Sequence, residues 1–281
     1  MDSIIVSTMT GAAGSLIAKT FDGPFKSLED LWYYHVGYKT EQMRLERKQA
    51  INEYKQDIFE ELSKIPEENR CNPRKCVAGS AIQDSLNFVE EPELRKMFAK
   101  LIASASDKTK YSLTHPAFSK IISQLSPLEA KILQDTDFLI KSKPCCKIRF
   151  QTSKIKRDFV FTESAPGYDI INHFYIPDTE NNLDTLTNND TDLYSAIIDN
   201  LNRLNLCEIP LNYSLSDPNY YTKFLNIPSL NTFLFNHRIH VTNNYPGYED
   251  YYIAFIKEAT LTTSFGKLFY HVCVKDNYLN K

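Results

Sequence analysis

The sequence predicts an α+β protein that is mainly helical, with an N-terminal helical bundle followed by a mixed, winged-helix-like half. Three observations carry this expectation. Apolar residues recur at helical spacing through the first half, most regularly at Leu94, Met97, Phe98, Leu101 and Ile102, which follow the i, i+3, i+4, i+7, i+8 rule of a half-buried helix. Pro92 and Pro127 each follow or join acidic or hydroxyl residues, the pattern of a first-turn proline behind a cap. After the run KSKPCCK the texture changes, and IRFQTSKIKRDFVF alternates as strands do. A boundary near residue 143 then gives a small-residue segment at 1–22, a helical domain at 23–143 and a mixed α/β domain at 144–281.

Composition bounds the possibilities. The 281 residues are 42% hydrophobic, 24% charged and 12% aromatic, which places the chain among globular proteins with a core of its own. The formal net charge of -3 supplies no global positive field for nucleic acid. Six cysteines in a chain this long do not make a disulfide framework.

The start, MDSIIVSTMTGAAGSLIAKT, lacks the basic region of a secretory signal, so a cytoplasmic address is expected. Its uncharged run from Ser3 to Ala18 falls just under the roughly 17 to 25 residues that span a bilayer. Ser7, Gly11 and Ser15 recur every four residues, a spacing that lets helices approach closely in membranes or oligomers. GSLIAKT has the Lys19 and Thr20 of a phosphate loop, but alanines at 13 and 18 stand where that loop needs glycine.

From Ser27 and Asp30, a weak cap, no proline intervenes until after Lys64, so a long helix is expected, with Gly37 as its weak point. Leu31, Tyr34, His35 and Tyr38 share one face. Met43, Leu45, Ile51, Tyr54, Ile58 and Leu62 then stand among mixed charges, the texture of a bundle or dimer arm. EENRCNPRKC is a turn-like break, and a helix follows at about Lys75–Phe88. In EEPELRKMFAKLIASASD, Glu90, Glu91 and Glu93 favour the positive helix end, while Ala99, Ala103 and Ala105 keep flanking positions small. Phe118, Ile121, Ile122 and Leu125 form the next stripe, with His115 at the helix entrance. Ser126, Pro127 and Glu129 then spell a capping box.

In the second half, residues 178–190 form a polar, Asn-rich stretch read as a loop, and a helix is expected at 193–206. Short strands and turns follow, then a strand near Tyr252–Lys257 and a helix over LTTSFGKLFYHVCV. The order of pieces is that of a winged-helix module with a large insertion. Its second helix carries Asp199 against Arg203, with Asp190 and Asp192 just ahead. That charge favours packing or protein contact over reading DNA.

No motif assembles an active site. Cys71 and Cys76 are spaced C-x4-C, and Cys145 and Cys146 are adjacent, which gives only one approximate zinc knuckle. His237 and His240 form H-R-I-H with Glu249 and Asp250 downstream, read as loop histidines; His271 falls within the last helix. Neither a nucleophile elbow nor H-E-x-x-H occurs. No cofactor, metal or catalytic residue is expected.

Three blocks together resemble the abortive infection alpha family. The first is Glu93 to Ser104, within EPELRKMFAKLIASASD. The second is His115 to Leu133, HPAFSKIISQLSPLEAKIL. The third is the ending carried by Leu261, Thr262, Gly266, Phe269 and Cys273. The resemblance covers roughly residues 20–275 and implies antiphage defence, without catalytic residues to carry over. It leads to the expectation of a non-enzymatic protein that forms homo-oligomers or contacts a phage or host protein, with a membrane effect through the N-terminal segment as a further option. A nucleic-acid-binding regulator is the alternative.

Overall fold

Helix α1, Glu41–Ser63, presents Tyr54, Ile58 and Leu62 at i, i+4 and i+8, and all three are buried. The computed structural model describes residues 41–135, 138–152, 160–161, 167–176, 188–225, 228–244 and 251–275. Ser7, Gly11, Ser15, Lys19, Thr20 and the proposed start at Ser27 and Asp30 lie outside them. The fold is α+β and mainly helical, as the sequence predicts. The chain divides into two compact units, Met1–Gln134 with Leu268–Lys281, and Asp135–Lys267.

The first unit is built around α3, Pro92–Ser104, which packs against α1, against α2 (Lys75–Ser85) and against α4 (Ala117–Ile122). Pro92 opens α3 in its first turn, where its missing N–H would have no partner. Leu94, Met97, Phe98, Leu101 and Ile102 are all buried. Between α1 and α2, a 3-10 turn at Glu67–Asn69 leads into a short antiparallel track beside the end of α3. Cys71 and Arg74 donate backbone N–H groups to the carbonyls of Ser106 and Ala105, and Lys108 donates back to Asn69. Small side chains at 103 and 105 allow this close approach. Asp107, buried, accepts from the backbone N–H and hydroxyl of Thr109, closing the turn.

Helix α5, Pro127–Asp135, starts on the capping box that the sequence spells. The Ser126 backbone N–H donates to Glu129 Oε2 at 2.6 Å, and the Glu129 N–H donates to Ser126 Oγ at 3.2 Å. The C-terminal part of the last helix, α9 (Ser264–Cys273), completes this unit. Phe269 meets Phe118 edge-on at 5.5 Å between ring centroids, and Ser104 Oγ donates to the Val272 carbonyl at 2.9 Å.

The second unit holds a four-stranded sheet of order β2-β5-β1-β3. Its strands are β1 (Pro144–Thr152), β2 (Val160–Phe161), β3 (Gly167–Tyr175) and β5 (Tyr251–Ala259). The central strand β1 runs antiparallel to both neighbours, with Ile148 opposite Phe255 on β5. Only the short β2 is parallel to its neighbour. Helix α6, Asn188–Arg203, packs on β3 through a buried stripe of Tyr194, Ile197, Ile198 and Leu201. It starts five residues before the expected position and ends in a left-handed cap at Asn205, φ 57°. There Leu206 N–H returns to the Leu201 carbonyl and Asn205 N–H to that of Asn202, the paired bonds of a Schellman motif.

A small second sheet pairs β4 (Cys207–Glu208) with β6 (Leu261–Thr262). Just beyond it, Thr263 Oγ1 accepts the Gly266 N–H at 2.8 Å and donates to the Asn205 carbonyl at 2.6 Å. The hydroxyl therefore caps α9 while holding it to the end of α6.

Two expectations are corrected here, the first being that Leu261 and Thr262, read within the last helix, form strand β6 ahead of it. The Tyr-, Asn- and Pro-rich stretch after residue 206 is not only short strands and turns: besides α7 (Thr222–Leu225), it contains a 17-residue helix, α8, Pro228–Asn244. Polar residues at 236–238 and His240 interrupt its apolar positions, which weakens the helical pattern.

Two substitutions test this architecture. Leu101→Ala removes a fully buried side chain from α3 and is expected to cost about 2–5 kcal/mol in urea unfolding. Gly266→Ala would place a Cβ 1.9 Å from the Leu206 carbonyl oxygen. It is expected to cost about 1–3 kcal/mol, with faster amide exchange at 264–267 as the local readout.

Candidate functional site

The residues singled out by sequence serve the inside of the first unit. The stripe Leu94, Met97, Phe98, Leu101 and Ile102 is core. His115 accepts the Ala117 backbone N–H on Nδ1 at 3.1 Å, and its ring lies 5.9 Å from that of Phe118. It caps the entrance to α4.

Between those apolar positions sits a residue that the sequence pattern does not flag. Arg95 is buried, 7% exposed, within α3. Its Nε donates to Asp57 Oδ2 at 2.6 Å and its Nη1 to Glu53 Oε2 at 2.7 Å, both on α1. Nη1 also donates to the Val89 carbonyl at 3.2 Å, on the link between α2 and α3. One guanidinium thus ties three segments. Burial pushes the Asp57 carboxyl up, and the Arg95 guanidinium opposes that shift. Hydrogen bonds from Gln49 and then Arg95 hold Glu53 below its ordinary value. The one signal in the sequence is Glu53 and Asp57, four apart and so on one helix face.

The histidines and cysteines separate rather than converge. His237 and His240 lie on α8, one turn apart, and not on a loop as expected. The His237 ring meets Phe150 edge-on at 6.1 Å, and burial, then the His240 charge, pushes its pKa down. His240 Nδ1 lies 3.2 Å from Asn244 Nδ2. Glu249 and Asp250 fall outside the described residues. Cys145, Cys146, Cys207 and Cys273 are buried thiols, and burial raises their pKa values, that of Cys207 to about 12. They pack as small hydrophobes, not as thiolate nucleophiles. Among the described residues, no group of three or more His, Cys, Asp or Glu side chains could hold a metal ion.

Among the described residues of the second unit, a polar cluster lies on the sheet. Opposite Lys147, strand β3 carries an extra residue, so the register jumps from Cys146–Phe174 to Ile148–Ile171. His173 occupies that bulge with φ 50°, a conformation rare for a non-glycine residue. Its Nδ1 lies 2.9 Å from Glu258 Oε2, while Lys147 Nζ lies 3.7 Å from Glu258 Oε1. Tyr221, buried, donates its hydroxyl to the Glu258 carbonyl and accepts the Leu215 N–H. A carboxylate that orients an imidazole can serve acid–base chemistry. Here the same contacts pin an irregular strand across the sheet.

Outward-facing apolar groups stand elsewhere in this unit. On α8, Phe235 and Ile239 are 58% and 41% exposed and lie four residues apart, so they share one face. On α6, Asp192 and Asp199 are exposed.

No curated protein and no solved structure matches the chain. A family model described as abortive infection alpha matches residues 46–273, a span that includes α3 with its buried stripe, the capped start of α5 and the glycine-bearing α9. The chain therefore belongs to the abortive infection alpha family and, with it, to abortive-infection defence.

Proposed function

We propose that this protein contributes to defence without catalysing a reaction, acting from the cytoplasm by self-association and by contact with a phage or host protein. The observation that supports this reading is the pair Phe235 and Ile239 on α8. Two large apolar side chains at i and i+4 on an exposed helix face are the anchors a helix uses when it docks into a groove. Contact with protein is favoured over contact with nucleic acid by the exposed Asp192 and Asp199 on α6 and by the net charge of -3, since duplex binding rests on cationic groups meeting phosphates.

The N-terminal segment with Ser7, Gly11 and Ser15 offers a second assembly element and the route to a membrane effect. Among the described residues, no helix is long and apolar enough to cross a membrane, so a membrane effect would rest on that segment.

The test measures the mass of the purified full-length protein across a concentration series, with and without detergent, beside survival of infected cultures. Phe235→Asp with Ile239→Asp is expected to abolish self-association and protection while leaving thermal unfolding unchanged. A double variant that stays monomeric yet protects fully would overturn the self-association reading. Deletion of residues 1–20 is expected to reduce assembly in detergent; full toxicity after that deletion would remove the membrane branch.

A further inference from the structure

On the first unit, the track leading into α2 and the turn after α3 are held side by side. Arg70 and Asp107 form an antiparallel bridge, and backbone bonds from Cys71, Arg74 and Lys108 cross between the two segments. The pairing gathers Arg70, Arg74 and Lys75 from one segment and Lys108 from the other.

The partners of these cations are mostly neutral. Arg74 Nη1 donates to the Thr114 carbonyl at 2.8 Å, and its guanidinium carbon stands 5.9 Å from the centroid of the Tyr111 ring. Lys108 Nζ donates to the Glu68 carbonyl at 2.7 Å. Arg70 Nε donates to the Ile65 carbonyl at 3.0 Å, and its Nη1 lies 3.9 Å from Glu67 Oε1, the outer limit of an ion pair. Lys75 is exposed and forms no ion pair among the described residues. A carbonyl or a ring face orients a cation but leaves its formal charge in place.

The carboxylates of these segments do not balance that charge. Asp107 is buried and accepts from Thr109. Glu67 and Glu68 stand exposed on the 3-10 turn, and the first turn of α2 holds no acidic side chain.

Beside the cations, Tyr111 is 41% exposed. Tyrosine and arginine are the residue types that most often anchor protein interfaces, and a planar guanidinium already held in place loses less freedom on binding than a mobile ammonium. Its fork of donors, only part of which Thr114 uses, matches a carboxylate. Glu67 and Glu68 oppose a phosphate backbone, whose affinity rests on several cations neutralising successive phosphates. A polypeptide with spaced acidic side chains meets the cations singly and leaves those two carboxylates at the rim.

We propose that this surface, with Arg74 and Tyr111 at its centre and Lys75 and Lys108 beside them, docks an acidic segment of a partner protein. The proposal gives a chemistry to the partner in the protein-contact reading and rests on that reading, but it uses a surface in the first unit and not the α8 face.

The test is fluorescence anisotropy of the full-length protein with labelled polyglutamate and, separately, labelled oligo(dT) of equal length, in a salt series. Saturable binding of polyglutamate that weakens with salt is expected. Lys75→Glu with Lys108→Glu is expected to raise Kd about tenfold or more. Lys48→Glu with Lys131→Glu, at exposed positions on α1 and α5, changes the net charge equally and should leave Kd nearly unchanged. Arg74→Lys, which keeps the charge and loses the fork, is expected to weaken binding. No saturable binding of polyglutamate, or equal losses in the two charge-matched double variants, would overturn the proposal. Tighter binding of oligo(dT) that is lost in the Lys75/Lys108 variant would overturn it in favour of nucleic acid. Because this readout is peptide binding, its failure leaves the self-association reading, which is measured by mass, intact.

Discussion

A buried guanidinium must be answered by acceptors on every side, and Arg95 imposes that constraint on the first unit. Removing a charged group from water costs several kcal/mol unless partners replace the lost hydration. Asp57, Glu53 and the Val89 carbonyl replace it here. Each comes from a defined place, so the position of α1 along α3 and the path from α2 to α3 are fixed together. The apolar stripe on α3 supplies most of the burial, but apolar contact alone tolerates sliding. The directed bonds of Arg95 do not.

In the second unit, close approach plays the corresponding part. Gly266 lies against the Leu206 carbonyl, which a side chain at that position would displace. The same carbonyl region ends α6 in its left-handed cap, and Thr263 reaches it while capping α9. Glycine, asparagine and threonine thus meet at one junction, each for a separate reason: absence of a Cβ, tolerance of positive φ, and a hydroxyl able to accept from one helix and donate to the other. Across the sheet, His173 and Glu258 span β1 to hold a bulge that would otherwise leave strained backbone without support.

Much of this was legible in the sequence where the determining interactions are local. Ser126, Pro127 and Glu129 spelled the capping box, and the period of Leu94 to Ile102 marked the central helix. The abortive infection alpha resemblance was carried by those same blocks. What stayed hidden was set by pairing between distant segments. Arg95 looked like one charge among many until α1 supplied its acids. The bulge at His173 follows from strand register, which no short window contains. The exposed pair Phe235 and Ile239 on α8 stayed unnoticed because the stretch around them was not read as a helix.

The most direct measurement of the central constraint is a double-mutant cycle in urea unfolding with Arg95→Met and Asp57→Leu. Removing Arg95 alone leaves Asp57 without its partner and is predicted to cost about 3 kcal/mol. Adding Asp57→Leu is predicted to recover part of that loss, giving a coupling of about 1–3 kcal/mol. Losses that simply add, with no coupling between the two sites, would contradict the role assigned to this pair.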